Sequence, residues 1–373
     1  MSTLYVARNA VCSVAEFVSL SERYSVPLPE TVFCELNRTG VWIADGVVPV
    51  NYRARFLCDE AFSPKPPMYF AVPVRGGGNS QFFIDSAGAL RFSDLHLGQT
   101  SEVETDTCDC SYFRKGRRVL NLNSNRRGEC HGCRYCIHHY PLYDETVLKD
   151  TTRLESEAQI EGFLREVIAN QGWTDLSSLE QIAVVTGLFP SEEAATGHIV
   201  TVCQIARDLG FSGETFFLGS EIKSVQALET LQPCRPLSFA YAVDCFTQRR
   251  QRLGRHKAKT TLEEIEATLR ASCDMGYRTT YAYVAGLDPL DDTRRWAERL
   301  APIVSRFPIV NIYQMQTPEQ EEALATGADE LSYYLAARQI FEDIFLPTRL
   351  RPSNWENYRS PWYHYFGDMY LPE

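Results

Sequence analysis

The chain lacks any long apolar run: none of its 373 residues belong to an uninterrupted stretch of about 18 apolar residues, the length that a membrane-spanning helix needs. Its first residues, MSTLYVARNAVCSVAEFVSL, also lack a basic segment leading into a long apolar one, so no secretory signal is evident. Excess positive charge is missing as well, because 37 Lys and Arg residues face 48 Asp and Glu residues and the net charge is −11. A general basic surface for nucleic acid is therefore excluded. We expect a cytoplasmic protein that binds neither membrane nor nucleic acid.

Apolar and sulfur-containing residues, in contrast, are plentiful. Hydrophobic residues make up 44% and aromatic residues 12% of the chain, which is enough for a large core and excludes a disordered protein. The chain contains 12 cysteines. In a reducing compartment these are expected to be metal ligands or buried thiols and not disulfides.

The first part of the chain, residues 1–115, has a composition unlike the rest. Short β-prone runs at 41–50, 68–74 and 81–84 are separated by proline and glycine signals, which predicts a small β-rich N-terminal module. The glycines at 76–80 suggest either a binding loop or an exposed hairpin turn. No Lys-Ser or Lys-Thr pair follows them, so they do not form a phosphate-binding loop.

From residue 116 onward, predicted strands and helices alternate. The strand-like runs are 119–123, 182–187, 214–218, 237–243, 279–286 and 309–315, and the helical patterns between them are 156–170, 191–209, 225–231, 261–275 and 292–304. This series predicts an α/β fold in which residues 116–345 form a parallel sheet curled into a partial (β/α)6 barrel of the TIM type. Functional residues of such sheets lie at the C-terminal ends of the strands.

The last residues, 346–373, form an aromatic C-terminal tail that includes NWENYRSPWYHYFGDMY. This tail is expected to pack on the barrel. Capping of a barrel mouth, an oligomer contact and simple docking that buries the aromatic rings are all compatible with its sequence.

The sharpest local signal is the segment GECHGCRYCIHHY, in which Cys130, Cys133 and Cys136 stand three residues apart. Thiols this close, in a loop directly after the first strand of the predicted barrel, converge on one point. Converging thiolates suit a soft metal ion or an iron–sulfur cluster. With three ligands in place of four, one iron of a cluster stays open to another ligand.

A structural zinc site is the alternative, and it would need a fourth ligand. Candidates are His131, His138 and His139, but the chain has no separate second CxxC pair of the kind that zinc knuckles use. Cys108 and Cys110 form a CxC pair that could be half a zinc site, ligands of an auxiliary cluster or free thiols. In the zinc interpretation the protein is a non-catalytic interaction module.

The cysteine triplet, with Tyr135 just before its last cysteine, resembles the cluster loop of the radical S-adenosylmethionine (SAM) superfamily. The order of downstream segments over about 116–345 is similar too. FFLGSEIKSVQALETL, LSFAYAVDCF and YRTTYAYVAGLDPLDD are similar to the third, fourth and fifth strands of biotin synthase-like members. The triplet departs from the common CxxxCxxC spacing because it is CxxCxxC, so either the loop is a variant or its first ligand is not Cys130.

The resemblance implies a [4Fe–4S] cluster held by Cys130, Cys133 and Cys136, with SAM bound at the open iron. It also implies an electron donor such as flavodoxin or ferredoxin, and a 5′-deoxyadenosyl radical that takes hydrogen from the substrate. We expect a small-molecule substrate and a rearrangement, lyase, epimerisation or cyclisation reaction. Modification of a peptide or carrier-bound substrate is the alternative. Sulfur insertion is not expected, since Phe216 and Thr280 stand where biotin synthase has cysteines.

The resemblance also implies roles for individual residues. Tyr135, Gly286 and Gln314 would lie near the adenine, and Thr186 and Gly187 near the methionine amine. Asp244, after the fourth strand, would bind ribose hydroxyls or substrate, or else cap the next segment. The cation for the methionine carboxylate is expected to be Lys259, with Arg249, Arg252 and Arg255 as alternatives. Candidates for contact with substrate are Asp244, Tyr241 and Tyr283, although tyrosines that alternate along strands are also typical of a core.

Overall fold

The computed structural model describes residues 9–43, 51–60, 62–63, 67–75, 80–104, 111–122, 132–136, 154, 156–185, 189–315, 317–353, 356 and 359–371. Within this part of the chain, none of the helices has the length and apolarity that a membrane span requires.

The N-terminal region combines two helices with a small curled sheet. Its elements are α1 (Val14–Tyr24), α2 (Leu28–Thr39), β1 (Val41–Ile43), β2 (Asn51–Cys58), β3 (Met68–Arg75), β4 (Phe82–Ile84), β5 (Ala89–Phe92) and β6 (Leu95–Glu104). The strand order is β1-β3-β2-β6-β5-β4, and the sheet closes because β1 pairs with both β3 and β4. β1, β3 and β4 lie in the predicted β-prone runs, whereas β2, β5 and β6 lie outside them. The two helices were not predicted, although Ser13 caps α1 by accepting the N–H of Glu16.

The second sheet has seven strands. They are β7 (Ser111–Arg114), β8 (Val119–Leu122), β9 (Gln181–Val185), β10 (Glu214–Gly219), β11 (Leu237–Asp244), β12 (Arg278–Ala285) and β13 (Ile309–Ile312). Neighbours in the sheet are neighbours in sequence; β8 to β13 are parallel, and β7 runs antiparallel to β8. The structure is therefore an α/β fold with two curled sheets, as the alternation of strands and helices predicts.

Helices connect these strands and cover the sheet. They are α3 (Glu157–Gln171), α4 (Glu192–Asp208), α5 (Val225–Thr230), α6 (Arg249–Arg252), α7 (Arg255–Ala258), α8 (Leu262–Asp274), α9 (Leu290–Leu300) and α10 (Leu331–Phe345). A two-stranded hairpin, β14 (Tyr365–Phe366) and β15 (Met369–Tyr370), ends the described chain. Capping boxes begin α3 at Ser156 and α8 at Thr261, which explains why both helices start where the sequence predicts them.

The two faces of the seven-stranded sheet differ in side-chain size. Register places Tyr241 beside Tyr281, and Tyr283 follows two residues later on the same face, where its ring packs on Phe341 of α10. The opposite face is lined by a separate cluster of mostly small buried residues: Ala183, Phe216, Ala240, Ala282 and Ile309. The large aromatic residues therefore fill the layer between sheet and helices, and the other face is built from smaller side chains.

Helix α2 joins the two sheets because it is buried along almost its whole length. Its Glu30 pairs with Arg338 of α10 at 2.7 Å, and both side chains are fully buried. Arg338 also contacts Glu342 at 2.8 Å, and Glu30 accepts the backbone N–H groups of Tyr363 and His364 in the tail. One network of charged groups therefore ties α2, α10 and the tail together.

The tail buries its aromatic rings. Trp362, Tyr363 and Phe366 are each at most 1% exposed. Phe307, just before β13, meets the rings of Trp362 and Phe366 edge-on at 5.1 and 5.2 Å. The described tail residues 359–371 thus pack their aromatic rings against the segment before β13.

Candidate site at the C-terminal ends of the strands

The C-terminal ends of β11, β12 and β13 meet around the described part of the cysteine segment, residues 132–136. Cys133 is 6% exposed and belongs to a small buried cluster. The other buried members are Cys245, Leu253, Leu287, Tyr313, Met315 and Ala323, with Tyr135 and Cys136 packed against them. The cysteine segment therefore lies at the edge of the sheet where functional groups are expected.

The backbone brings Cys133 and Cys136 into one turn, since the N–H of Cys136 donates to the carbonyl of Cys133 at 2.7 Å. The Sγ of Cys133 accepts the backbone N–H of Gly254 at 3.3 Å. The N–H of Arg134 donates to the carbonyl of Arg252 at 2.8 Å. Burial raises the pKa of Cys133 to about 11, while the nearby Lys257 ammonium acts in the opposite direction.

The third cysteine of the triplet, Cys130, lies outside the described residues, as do Cys108, Cys110, His131, His138 and His139. A search of the described residues alone finds no group of three His, Cys, Asp or Glu side chains placed to hold a metal ion. The described chain thus contributes two of the three predicted thiols. Of these two, Cys133 accepts an N–H···S hydrogen bond, a contact of the kind that tunes thiolate ligands of iron–sulfur clusters.

Asp244 lies beside the cysteines and forms an ion pair. Its Oδ2 accepts the Lys257 Nζ at 2.6 Å. A register shift between Ala242 and Asp244, together with the left-handed φ of 64° at Asp244, turns this carboxylate out of the regular strand direction. Burial alone would lower the pKa of Lys257, but the negative groups around it, Asp244 first, raise it, so the lysine stays charged.

Lys257, and not Lys259, is therefore the lysine that the structure brings to Asp244. Lys259 is exposed at the end of α7. Arg249 donates to the carbonyls of Val243 and Cys245, and Arg252 lies 3.5 Å from Asp288. Both arginines are thus engaged inside the loop that follows β11. The side chain of Arg255 lies outside the described set.

Asp288, just after β12, organises this loop. Its carboxylate is fully buried and accepts the backbone N–H groups of Phe246 at 2.8 Å and Thr247 at 2.7 Å, together with the Thr247 hydroxyl at 2.5 Å. The same loop then supplies the Arg252 carbonyl and the Gly254 N–H that contact the cysteine segment. Asp288 therefore supports the cysteine segment indirectly, through the backbone of Arg252 and Gly254.

Gly286 ends β12 in a conformation that only glycine adopts easily, with φ of 112°. A Cβ at this position would lie 2.8 Å from the Tyr334 hydroxyl and 2.9 Å from the Tyr313 Cβ. Tyr313 in turn meets the ring of Tyr135 edge-on at 6.1 Å. The glycine thus permits the packing that holds Tyr135 at the site.

Tyr135 and Gln314 lie on the same side of the site but have different neighbours. The carbonyl of Tyr135 accepts the Gln320 amide at 2.9 Å. Gln314 donates to Asn37 of α2 at 3.4 Å, while its own Oε1 is buried without a hydrogen bond.

The remaining predicted residues lie elsewhere. Tyr241 and Tyr283 are buried in the core layer between sheet and helices, where their hydroxyls bond to the Ser220 carbonyl at 3.1 Å and to the Thr293 hydroxyl at 2.8 Å. Tyr241 and Tyr283 thus occupy core positions, as is typical of tyrosines that alternate along strands. Thr186 and Gly187 fall outside the described residues.

Three polar residues at this edge were not predicted. Besides Lys257 they are Ser220, whose hydroxyl is buried without a hydrogen-bond partner, and His256, whose Nε2 is buried in the same way. Burial lowers the pKa of His256 to about 4, and the charges of Lys257 and Lys223 add to this effect. Ser220 directly follows β10, so the rule that functional groups follow parallel strands could have found it. Buried polar atoms of this kind need an acceptor or donor from water or from a ligand.

Comparison with known proteins finds weak structural similarity and no match in sequence. No protein-family model matches the chain, and no curated protein matches it either. Among solved structures, 52% of the chain is similar to a radical S-adenosylmethionine methyltransferase, TsrM, from Kitasatospora setae, solved with cobalamin and a [4Fe–4S] cluster bound. The TM-score is 0.36, the identity is 11%, and the chain spans 37% of that protein. At this level of similarity the neighbour assigns neither a family nor an activity to this chain.

Proposed function

We propose that this protein is a radical SAM enzyme in which Cys130, Cys133 and Cys136 hold a [4Fe–4S] cluster. The observation that supports this most is the buried turn of Cys133 and Cys136 at the C-terminal ends of parallel strands, with the Gly254 N–H donated to the Cys133 sulfur. When bound, such a cluster together with SAM supplies an electron and a 5′-deoxyadenosyl radical that removes hydrogen from substrate. The protein has to hold these groups and exclude water.

The seven-stranded sheet fits this task if β8 to β13 form the partial (β/α)6 barrel that the sequence predicts. Its small residues, Ala183, Ala240 and Ala282, then line the face that receives SAM and substrate. A barrel interior suits radical chemistry because it keeps solvent and other reactive groups away. The unpaired oxygens of Ser220 and Gln314 are available to polar groups of the ligands.

The ion pair of Asp244 and Lys257 supports SAM binding in this proposal. Asp244 accepts hydrogen bonds from ribose hydroxyls or from substrate, and Lys257 takes the role at the methionine carboxylate that the sequence analysis gave to Lys259. The ion pair keeps Lys257 protonated before SAM binds, so its ammonium can donate a hydrogen bond to an anionic group as well as to Asp244.

The substrate class is a further part of the proposal. A small metabolite that undergoes rearrangement, lyase, epimerisation or cyclisation chemistry is the substrate that we propose. Modification of a peptide or carrier-bound substrate is the alternative, since the N-terminal β-rich region is available to recognise it. A flavodoxin or ferredoxin would supply the electron.

Anaerobic purification with iron and sulfide, followed by dithionite and SAM, tests the proposal. Iron content and 5′-deoxyadenosine are measured for the wild type, Cys133→Ala and Cys245→Ala. Cys245 is the matched control because it is a buried thiol in the same cluster of side chains but outside the triplet. We expect about four irons per chain for the wild type and Cys245→Ala, and loss of both iron and deoxyadenosine in Cys133→Ala.

The other outcomes separate the alternatives. About one zinc per chain, no colour and no deoxyadenosine would overturn the enzyme proposal and support the zinc module. Six to eight irons, roughly two clusters, would indicate an auxiliary cluster and favour peptide modification or sulfur insertion.

A further inference from the structure

A cavity of about 510 Å³ lies at the end of the seven-stranded sheet opposite to the cysteines. The first residues of four strands line it: Val119 of β8, Gln181 of β9, Glu214 of β10 and Arg278 of β12. The rest of the lining comes from residues before β8 and β9, from the loop before β13 and from the tail: Lys115, Glu180, Arg306, Arg351, Pro352, Ser353, Met369, Tyr370 and Leu371. Its size is that of a small-molecule site.

Positive charge exceeds negative charge in the walls. The lining contains four cationic side chains and two carboxylates, Glu180 and Glu214. Glu180 is shared by Lys115 and Arg118, and Glu214 accepts from Gln181, Ser238 and Arg278 at 2.5 to 2.9 Å. Both carboxylates are thus fully engaged.

Arg351 has no carboxylate partner among the described residues. Its guanidinium donates to the carbonyls of Phe345, Leu346, Thr348 and Leu350 at the end of α10. These neutral acceptors fix its position at the edge of the cavity that it lines. The side chain is therefore held in place before any ligand binds.

Arg306 supplies an unsatisfied donor. Its side chain is only 7% exposed, and its guanidinium lies over the Phe216 ring at 5.4 Å. Its Nη2 pairs with Glu356, but Nη1 is buried without a hydrogen bond, and the Glu214 Oε2 lies 3.7 Å from it. A buried N–H without an acceptor is costly, so a ligand oxygen would be favoured here.

We propose that this cavity binds a small phosphate monoester with an apolar substituent. Guanidinium groups match the oxygens of phosphate in geometry and charge, and an anion would add counter-charge to the cations of the walls. Val119, Pro352, Met369 and Leu371 provide apolar walls for the substituent. The proposal does not depend on the radical SAM assignment, because the cavity lies at the other end of the strands.

Isothermal titration calorimetry on the full chain with phenyl phosphate tests the site, with inorganic phosphate and phenol as partial ligands. Phenyl phosphate is expected to bind more tightly than either. The first variant is Arg278→Gln, since this side chain is 61% exposed and its loss does not disturb the core. Its matched control is Arg299→Gln, an arginine on α9 that pairs with Glu266 in the same way and is 44% exposed. We expect binding at least about ten-fold weaker in Arg278→Gln and unchanged in the control.

A second variant addresses the buried donor. Arg306→Lys keeps the positive charge but removes Nη1, so binding is expected to weaken; the melting temperature is measured alongside, because the buried contacts with Glu356 and Phe216 also change. Failure of phenyl phosphate to bind at millimolar concentration to the folded wild type would overturn the proposal. If Arg299→Gln weakened binding as much as Arg278→Gln does, the ligand would be held by general charge attraction and not by this cavity. If phenol bound as tightly as phenyl phosphate, the cavity would be an apolar pocket without a phosphate site.

Discussion

Asp288 shows how one side chain can position a site that it does not touch. A buried carboxylate is tolerated only where its hydrogen bonds are satisfied, and Asp288 has two backbone N–H donors, a hydroxyl and the Arg252 guanidinium. These contacts fold the loop after β11 against the end of β12. The loop then presents the Gly254 N–H to the Cys133 sulfur.

We expect Asp288→Asn to destabilise the protein by about 2–4 kcal/mol, because the amide loses one acceptor oxygen and leaves Arg252 buried beside a neutral group. Urea unfolding measures this free energy. Retention of iron by the reconstituted protein is expected to fall about ten-fold, since the loop that supports Cys133 loses its anchor.

Asp291→Asn is the control for this change. It alters the same charge three residues later, at an exposed position in the first turn of α9. We expect it to change the free energy of unfolding by no more than about 0.5 kcal/mol. Equal effects of the two variants would show that charge, and not the loop contacts, sets the stability.

The contacts between α2, α10 and the tail depend on buried charges. Arg338 is enclosed by Glu30 of α2, Glu342 of its own helix and the carbonyls of Pro361 and Tyr365. Glu342 additionally accepts the Trp362 indole N–H at 2.9 Å. One guanidinium is thus shared by two carboxylates, so removal of Arg338 leaves both of them in the core without it.

Arg338→Leu is expected to cost about 3–5 kcal/mol of unfolding free energy, because Glu30 and Glu342 then lack their counter-charge. Adding Glu30→Gln and Glu342→Gln to this variant should recover part of the loss. Chemical denaturation of all three proteins measures both effects. Arg294→Leu, an exposed arginine of α9 that pairs with Asp343, is the control, and we expect less than about 1 kcal/mol for it. A similar loss in both single variants would contradict the role of the buried network.

The sequence patterns located the elements better than they located polar residues in the core. The strands and the helices of the α/β region lie close to the predicted runs, since alternation and capping are local properties. Helix α2 was missed because its sequence, LPETVFCELNRT, has charged and polar residues at positions that are buried here, including Glu30, Glu35 and Arg38. Only their partners on distant elements make these positions acceptable in a core.

The N-terminal region and the seven-stranded sheet depend on each other. Asn37 of α2 contacts Gln314 after β13, and Phe33 packs on Tyr363 of the tail. Glu30 lies against Arg338. Buried residues of both regions belong to one hydrophobic cluster, and β7, which precedes residue 115, is a strand of the seven-stranded sheet.

A chain shortened to residues 116–373 is expected not to fold, because the apolar face of α10 and the Arg338 guanidinium would be exposed to water. Near-ultraviolet circular dichroism and urea unfolding of the purified fragment measure this. We expect weak tertiary signal and no cooperative transition, with recovery when residues 1–115 are supplied on a second chain. A monomeric fragment that unfolds cooperatively would show instead that α2 is dispensable.

The sequence by itself determined the α/β class, the order of the strands and the position of the cysteine triplet after the first parallel strand. These follow from hydrophobic periodicity, turn residues and ligand spacing, which are local along the chain. Only the tertiary structure decided that Lys257 reaches Asp244 while Lys259 faces solvent, and that Tyr241 and Tyr283 face the helices. A shift of one or two residues in a strand or helix changes the direction in which a side chain points. The bulge before Asp244 produces such a shift, and no local sequence pattern encodes it.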